Sequence, residues 1–389
     1  MKIALFSNFL NMHQLPFCEY MYSATNGQFT FVATERIPED RLKFGYSDLD
    51  RTHPFVLRTY DGEEAEKEAL RLAEEADVVI QGSAPWFYLE ERLKQNKLTF
   101  VNSERIYKTG YQHWKWPVRM WRIYQKYGRH KSLYLLCASA FASADFAKTC
   151  TFVNKAYKWG YFPPVKQYSD IDALIDQKKN NTIVWVARFI DWKHPEIALN
   201  LAQRLKKDGY VFRLNMIGNG ELLEQMRNEV SVRNLSDCVT IPGAMKPEEV
   251  RRHMEEAEIH IFTSDRNEGW GAVLNESMNS ACAVVASHAI GSVPFLLEDG
   301  ANGLIYQDGN EDDLYQKVKM LLGDKVICHS LGKNAYRTLI GTWCADVAAK
   351  RLLNLADAII NGEKKPALFE EGPCSAAKIL EDNWYRINA

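Results

Sequence analysis

The sequence predicts an α/β protein built from two doubly wound domains in tandem. Short apolar runs alternate with longer amphipathic segments, the pattern of a parallel sheet covered by helices on both faces. The 389 residues suffice for two domains at about 100–200 residues each. The alternation breaks at residues 160–164, which end in two prolines, and a polar stretch runs on to residue 181. We therefore expect one domain over residues 1–163 and another over residues 164–362.

In the first domain, the apolar runs predict buried strands and the amphipathic segments predict helices between them. Strands are expected at residues 2–6, 29–33, 78–80, 98–101 and 133–137, and helices at residues 15–22 and 63–75. Polar Ser7 and Asn8 end the first of these strands. Sheets of this kind bind ligands at the carboxyl ends of their strands, so the loops there are the first candidates for a site.

The same alternation resumes after residue 181 and predicts a second sheet. Its strands are expected at residues 183–187, 212–217, 239–241, 259–263, 283–287 and 303–306. Its helices are expected at residues 196–206, 221–230, 247–255 and 271–280, with terminal helices after them. We expect the last segment, residues 363–389, to pack back on the first domain.

Composition excludes several classes of protein. With 46% hydrophobic and 25% charged residues, the chain is neither disordered nor fibrous. The formal net charge of −2 disfavours a general nucleic-acid binder. No uncharged run reaches the length of a membrane span, and the apolar start of the chain is too short for a secretory signal. Eight cysteines without metal-finger spacing predict reduced thiols in a cytoplasmic protein.

The most informative segment is the predicted strand-to-helix turn at residues 264–272. Gly269 and Gly271 let a ligand approach the backbone, and the start of a helix favours phosphate. Glu268 and Glu276 flank the turn, and carboxylates accept hydrogen bonds from uncharged hydroxyls. Phosphate next to hydroxyls is the chemistry of a sugar nucleotide.

The Glu-x7-Glu motif from Glu268 to Glu276 resembles that of retaining glycosyltransferases of the GT-B fold, and it is most similar to family 4. Three further segments of the second domain resemble that family in order: Val-Ala-Arg-Phe-Ile-Asp-Trp-Lys at residues 186–193, Gly-Asn-Gly at 218–220, and a glycine-bearing segment at 291–303. The resemblance implies two Rossmann-like domains facing across a cleft, the first binding an acceptor and the second a nucleotide sugar.

The resemblance also implies roles for single residues. Arg188 and Lys193 would hold the donor diphosphate, and Glu268 would contact the transferred sugar; these three form the implied catalytic set. The implied nucleotide-binding residues are Glu276, Gly269, Trp270, Gly271, Ala272, Gly218 and Asn219. The resemblance implies no separate catalytic nucleophile, because the donor phosphate itself takes the acceptor proton in the front-face mechanism of such enzymes. No cofactor is expected besides the nucleotide-sugar donor. Trp270 and Asn275 depart from the family pattern, and we interpret both as tuning the sugar pocket.

Some interpretations stay open on sequence alone. The candidate acceptor residues are Asn8, His13, Ser103, Glu104 and Arg105. His13 is equally compatible with an ordinary polar loop, residues 103–105 with an ion-paired loop, and Gly218 and Gly220 with a plain tight turn. Asp48–Asp50 and Asp170–Asp172 mimic a metal-binding Asp-x-Asp motif, but neither follows a convincing strand, so no metal site is predicted.

A basic stretch rich in aromatic residues runs from Arg105 to Lys131. It holds eight Lys and Arg, and no Asp or Glu follows before Asp145. Cations interleaved with Tyr and Trp are typical of contact with anionic lipid headgroups. The predicted membrane-contacting residues are Lys115, Arg119, Arg122, Lys126 and Arg129. A solvated basic helix and a nucleic-acid stacking surface are the alternatives.

Together these patterns predict a retaining, metal-independent glycosyltransferase. It would move a sugar from a UDP- or GDP-sugar to a saccharide acceptor, lipid-linked, in bacterial surface polysaccharide biosynthesis. It would act in the cytoplasm, peripherally at the inner face of the cell membrane. The alternatives are a sugar-nucleotide epimerase or hydrolase of the same fold, and a non-catalytic sugar-nucleotide sensor.

Overall fold

The computed structural model describes residues 1–39, 48–108 and 116–385. Within these ranges the strands form two parallel sheets, one of seven strands and one of six. The chain divides into two compact units, each containing one sheet. The first comprises Met1–Pro164 and Thr342–Glu381, and the second comprises Val165–Gly341 and Asp382–Ala389.

The first sheet has the strand order β3-β2-β1-β4-β5-β6-β7, and every pairing in it is parallel. Its strands are β1 (Ile3–Ser7), β2 (Phe29–Ala33), β3 (Val56–Arg58), β4 (Val78–Gln81), β5 (Thr99–Ser103), β6 (Leu133–Cys137) and β7 (Ala156–Lys158). The accompanying helices are α1 (Leu15–Ala24), α2 (Glu63–Glu75), α3 (Glu90–Lys94), α4 (Trp116–Ile123) and α5 (Ala142–Ala147).

All five strands predicted for the first domain are present, as β1, β2, β4, β5 and β6. Each is buried along most of its length, which explains its continuous apolar sequence. Strands β3 and β7 were not predicted. Both lie at the edges of the sheet and contain only three residues each, so they leave no apolar run in the sequence.

The second sheet has the order β10-β9-β8-β11-β12-β13, again wholly parallel. Its strands are β8 (Lys179–Val186), β9 (Arg213–Ile217), β10 (Val239–Gly243), β11 (Ala257–Phe262), β12 (Ala283–Ser287) and β13 (Leu304–Tyr306). Its helices are α6 (Ile171–Asp176), α7 (Pro195–Lys207), α8 (Leu223–Val232), α9 (Pro247–Glu256), α10 (Val273–Asn279), α11 (Val293–Leu296), α12 (Glu311–Gly323) and α13 (Lys325–Thr342). All six predicted strands are therefore confirmed.

The last helix, α14 (Ala345–Ile360), packs against α1 in the first unit. This placement differs from the predicted second domain, which extended to residue 362. Farther along, Lys158 N donates to Ser375 O (2.8 Å) and Ala377 N donates to Ala156 O (2.9 Å), so the chain runs beside edge strand β7. Burial of that strand edge removes unpaired backbone groups from solvent.

Each sheet contains one point where the direction of winding reverses. In the first sheet it lies between β1 and β4, and in the second between β8 and β11. The loops that leave the two strands at such a point go in opposite directions, which opens a crevice at their carboxyl ends. Each crevice is therefore a candidate ligand site. No helix of the described residues is both long and apolar enough to cross a membrane.

Candidate functional site at the carboxyl ends of β8 and β11

The crevice of the second sheet is closed by hydrogen bonds between the loops after β8 and β11. Thr263, directly after β11, donates from Oγ1 to the carbonyl of Lys193 (2.7 Å). The same hydroxyl accepts from Trp185 Nε1 on β8 (2.8 Å). Both side chains are fully buried. These bonds fix the main chain at Lys193 relative to the strand that precedes the Glu-x7-Glu motif.

Lys193 and Glu268 form a buried ion pair in this crevice. The ammonium donates to Glu268 Oε2, and the two side chains are 11% and 9% exposed. Ser264 also donates to Glu268 Oε2, at 3.0 Å. The Lys193 ammonium lies 4.3 Å from the ring centroid of Trp192. The structure thus brings together two predicted catalytic residues that are 75 positions apart. Each charge neutralises the other, which offsets the cost of removing both from water.

Arg188, the third predicted catalytic residue, lies in the loop after β8 and is exposed. Its guanidinium is 5.8 Å from the Trp192 ring centroid, on which Lys193 also rests. The position supplies a solvent-accessible cation beside the buried pair. A guanidinium can bind phosphate oxygens with two parallel N–H donors.

The turn after Glu268 requires glycine at position 271. Its φ is +84°, and a Cβ there would lie 2.5 Å from the Phe262 ring. Any side chain would therefore strain the backbone and collide with the core. Gly269 is buried, and Ala272 is half-buried. The predicted helix of residues 271–280 is shorter than expected, since α10 starts at Val273 and ends at Asn279.

Trp270 and Asn275 have a packing role. The indole is 1% exposed and donates from Nε1 to Asn275 Oδ1 (2.9 Å), and Asn275 is equally buried. A buried indole N–H needs an acceptor, which explains why an amide stands where an aliphatic residue was expected. The Trp270 ring is buried in the interior, so only the backbone of this residue can contact a ligand.

Glu276 lies in the first turn of α10. Its side chain is half-buried, and burial raises the pKa of the carboxyl. The positive charge of Arg251 lowers the pKa, but by less than burial raises it. Within the described residues, no hydrogen bond reaches the Glu276 side-chain oxygens. The carboxylate is available to accept from hydroxyls of a ligand.

The Gly218-Asn219-Gly220 turn packs directly on the loop after β8. A Cβ on Gly218 would lie 1.8 Å from the carbonyl oxygen of Ala187, and one on Gly220 would lie 2.3 Å from that of Phe189. Phe189 N donates to Asn219 O (2.9 Å). The glycines are required for this close approach, so the turn has a structural explanation. Nucleotide contact by Gly218 and Asn219 stays a prediction.

His194 was not indicated by any sequence pattern, yet it lies beside this loop. It adopts a left-handed conformation with φ +50°. Its Nδ1 is 2.7 Å from Glu196 Oε1, and its Nε2 is 3.6 Å from Asp265 Oδ2. The hydrogen bond to Glu196, with the carboxylates of Glu196, Asp265 and Asp308, outweighs burial and raises the pKa of His194 to about 8.

The end of the described chain also contacts the loop. Asp382 pairs with Arg266 at 3.1 Å, and Trp384 Nε1 donates to the carbonyl of His288 (3.1 Å). More than 90 residues separate these partners in the sequence, so no local pattern could reveal the contact. It ties the segment after residue 381 to the strand ends of the second sheet.

The crevice of the first sheet holds a polar cavity of about 640 Å³. It is lined by Ser7, Asn8, Phe9, Asn11, His13, Gln14, Gly82, Ser83, Asn102, Ser103, Glu104, Ala138 and Tyr161. Four of the five predicted acceptor residues, Asn8, His13, Ser103 and Glu104, are therefore brought together. The lining is mainly hydroxyl and amide groups, which can both donate to and accept from sugar hydroxyls.

Glu104 is positioned by two donors. Tyr161 OH donates to its Oε1 (2.5 Å) and Lys108 Nζ to its Oε2 (2.8 Å), while the His13 ring stacks on that of Tyr161 at 6.4 Å between centroids. Tyr161 was missed because its segment reads as an interdomain break. Arg105 is not among the lining residues: it is buried 3.5 Å from Asp145 and lies over the Phe141 ring.

The predicted membrane residues Arg119, Arg122, Lys126 and Arg129 are all exposed, and Lys115 lies outside the described residues. The two Asp-x-Asp segments have local roles. Asp50 accepts from Leu10 N (2.8 Å) and Tyr60 OH (3.1 Å), and Asp170 caps α6. In the part of the chain that the structure describes, no three His, Cys, Asp or Glu side chains are grouped to hold a metal ion.

Comparison with known proteins identifies the second unit. Residues 169–338 match the family model described as Glycosyl transferases group 1. Over 137 residues the chain is 31% identical to the amylovoran biosynthesis glycosyltransferase AmsK of Erwinia amylovora, covering 34% of this chain and 33% of AmsK. Over 146 residues it is 28% identical to a Campylobacter jejuni N-acetylgalactosamine-N,N'-diacetylbacillosaminyl-diphospho-undecaprenol 4-alpha-N-acetylgalactosaminyltransferase, covering 38% of each chain. The alignments thus span little more than a third of these relatives.

The structural comparison covers both sheets. The fold is similar to that of Anabaena HepE in complex with UDP, with a TM-score of 0.70 over 92% of this chain and 100% of HepE. At 13% identity this likeness concerns the fold alone. With two parallel Rossmann-like sheets, the predicted GT-B fold class is confirmed.

Proposed function

We propose that the chain, whose residues 169–338 match the glycosyl transferases group 1 family model, moves a sugar from a nucleoside diphosphate sugar to a saccharide acceptor with retention of anomeric configuration. The observation that carries the proposal is the buried Lys193–Glu268 pair at the winding reversal of the second sheet, with exposed Arg188 beside it. Cations at a strand-end crevice suit a diphosphate, and carboxylates suit the sugar and ribose hydroxyls.

Arg188 and Lys193 hold the diphosphate and stabilise the charge that develops on it as the glycosidic bond breaks. Cations held in place before the reaction need no reorganisation when that charge appears, which makes this the largest catalytic contribution. The bonds from Thr263 to the Lys193 carbonyl and from Ser264 to Glu268 keep the pair in position. Glu268 accepts hydrogen bonds from hydroxyls of the transferred sugar, and Glu276 accepts hydrogen bonds from the ribose hydroxyls.

The same diphosphate takes the acceptor proton, so the step needs no separate base, and Arg188 and Lys193 carry the charge stabilisation without a metal ion. The acceptor attacks from the side on which the diphosphate leaves, and this front-face course retains the configuration. UDP is the proposed nucleotide, since HepE, which shares the fold, was solved with UDP.

The acceptor saccharide binds in the polar cavity of the first sheet. Its hydroxyls contact Asn8, His13 and Ser103 there. Glu104, held by Tyr161, accepts a hydrogen bond from a further hydroxyl. The acceptor is lipid-linked, and the reaction serves assembly of a bacterial surface polysaccharide in the cytoplasm at the inner membrane face. Two relatives support this part of the proposal by their names, the amylovoran biosynthesis glycosyltransferase AmsK and the Campylobacter enzyme that is named for an undecaprenol-linked acceptor.

The test is transfer by the purified chain from a panel of UDP- and GDP-sugars, with and without lipid-linked saccharides, followed by mass spectrometry and NMR of the product. We expect an acceptor-dependent product with an α linkage from an α donor. The Arg188→Gln variant should lose about 100-fold in rate, because it removes a cation that stabilises the leaving diphosphate. The fold should be unaffected, because the Arg188 side chain is exposed. An epimer or free sugar formed equally without acceptor, or tight donor binding without any turnover, would overturn the proposal.

A further inference from the structure

The helix α4 and the residues after it form an exposed surface that combines basic and large apolar side chains. None of the eight residues of α4 is buried. Eight exposed residues of this segment form what we call the basic aromatic face: Val118, Arg119, Met120, Trp121, Arg122, Tyr124, Lys126 and Arg129. A helix that buries no residue against its own protein gains little stability from packing, so its apolar groups need another partner.

Large apolar side chains are concentrated on this face. Trp121 is 62% exposed, Val118 57% and Tyr124 44%, within seven consecutive residues. Phe87, on the adjoining turn Trp86–Leu89, is 45% exposed. Single exposed apolar residues are common, but a cluster of them marks an interaction surface.

The charge of the face is of one sign. Arg119, Arg122, Lys126 and Arg129 are exposed on it. One acidic residue, Glu90 of α3, lines the groove beside this face, and its neighbour Glu91 is paired with Lys94. The next acid along the chain, Asp145, is buried with Arg105. The basic residues therefore keep an excess positive charge at the surface.

A groove of about 530 Å³ brings the cations and the indole rings together. It is lined in part by Trp86, Trp121, Arg122, Lys126 and Arg129. The Lys126 ammonium lies 4.7 Å from the Trp86 ring centroid. Indole rings with adjacent cations are suited to the boundary between acyl chains and phosphate headgroups, where each group finds its own environment.

We propose that the basic aromatic face docks the protein on an anionic phospholipid bilayer, with Trp121, Val118 and Tyr124 at headgroup depth and Arg122, Lys126 and Arg129 on lipid phosphates. Charge complementarity selects this partner: apolar side chains and cations alternate, as in interfacial helices, where basic side chains stay at the phosphates while apolar ones enter the bilayer. The inference rests on the proposed function in one respect, since a lipid-linked acceptor gives the docking a purpose.

The experiment is co-sedimentation of the full chain with vesicles of phosphatidylcholine alone or with phosphatidylglycerol, without donor or acceptor. We expect binding only to the anionic vesicles, and release at high salt as the Debye length shrinks. The triple variant Arg122→Gln, Lys126→Gln, Arg129→Gln should lower the partition coefficient about 100-fold. The control Lys67→Gln, Arg71→Gln, Lys319→Gln removes as many exposed charges elsewhere and should bind like the wild type.

A second variant, Trp121→Ser, should weaken binding about tenfold at low salt, because its effect is on the apolar contact. Equal binding to neutral and anionic vesicles, or equal losses in the two triple variants, would overturn the inference. So would binding of an oligonucleotide or an acidic protein with no binding to vesicles. Because Arg188→Gln should lower the transfer rate about 100-fold and leave vesicle binding intact, failure of the docking and failure of the proposed function can be told apart.

Discussion

The two winding reversals of this molecule have the same topology and opposite chemistry. Between β8 and β11, the buried Lys193–Glu268 pair and the Thr263 hydroxyl fill the crevice with charges that are already compensated. Between β1 and β4, the crevice is an open cavity of about 640 Å³ lined mainly by hydroxyl and amide groups.

The difference between the two crevices shows that the fold determines where a crevice forms and the side chains determine which ligand it can bind. Both crevices arise because loops diverge where the winding reverses, so neither identifies its ligand. Fixed charges distinguish the second sheet and suit a phosphate. Neutral groups that donate and accept distinguish the first and suit a saccharide. The second crevice should therefore be intolerant of substitution for reasons of stability, and the first should respond mainly in acceptor binding.

Removal of one member of the buried pair should have the largest effect. Lys193→Met leaves Glu268 buried without its partner and should cost about 3–5 kcal/mol of unfolding free energy, measured by urea denaturation. The double variant Lys193→Met, Glu268→Met removes both charges and should recover most of that loss, while remaining inactive. A single variant as stable as the wild type would contradict the buried pairing.

The glycine turn of the second crevice should be the next most sensitive. Gly271→Ala forces a Cβ into the Phe262 ring at a positive φ and should cost about 3 kcal/mol in urea denaturation. The matched control is Gly323→Ala, at the end of α12, where nothing lies within 4 Å of the added atom. Similar stability of the two variants would show that the turn tolerates a side chain at position 271, contrary to the prediction.

His194 should make the stability of the second unit depend on pH. Its pKa is raised from 6.5 to about 8, so its contribution is fully present below 6.5 and is lost as the pH rises through 8. The stability difference between wild type and His194→Gln should fall by up to about 2 kcal/mol across that window. Urea denaturation at a series of pH values measures it, and a flat difference would exclude a charged His194.

Tyr161→Phe should have the smallest effect on stability and should act on acceptor binding. It removes one of the two hydrogen-bond donors to Glu104 and should raise the acceptor KM about fivefold while leaving the KM for the sugar nucleotide unchanged. The control Tyr168→Phe removes a similar bond, to Glu255 Oε1 (2.5 Å), in the second unit. An equal change of KM in both variants, or a change in the donor KM, would argue against an acceptor site in the first crevice.

Local sequence predicted the second crevice better than the first. Glu268, Gly271 and Glu276 lie in one short motif, whereas the first crevice gathers His13, Glu104 and Tyr161 from distant segments. The interpretation of Trp270 and Asn275 as pocket residues did not anticipate their burial, because a motif does not show which way a ring points. Likewise, nothing in residues 345–360 indicates that α14 packs on α1 and not on its own neighbours in sequence.

The central claim is that the second crevice binds a nucleoside diphosphate through preset cations. The direct measurement is the affinity of UDP by calorimetry for the wild type, Arg188→Gln and Arg213→Gln, the last being an exposed residue at the opposite end of the sheet, at the start of β9. Arg188→Gln should weaken binding by about tenfold or more, and Arg213→Gln should not change it. Equal affinities in all three proteins, or no binding of any nucleoside diphosphate, would contradict the claim.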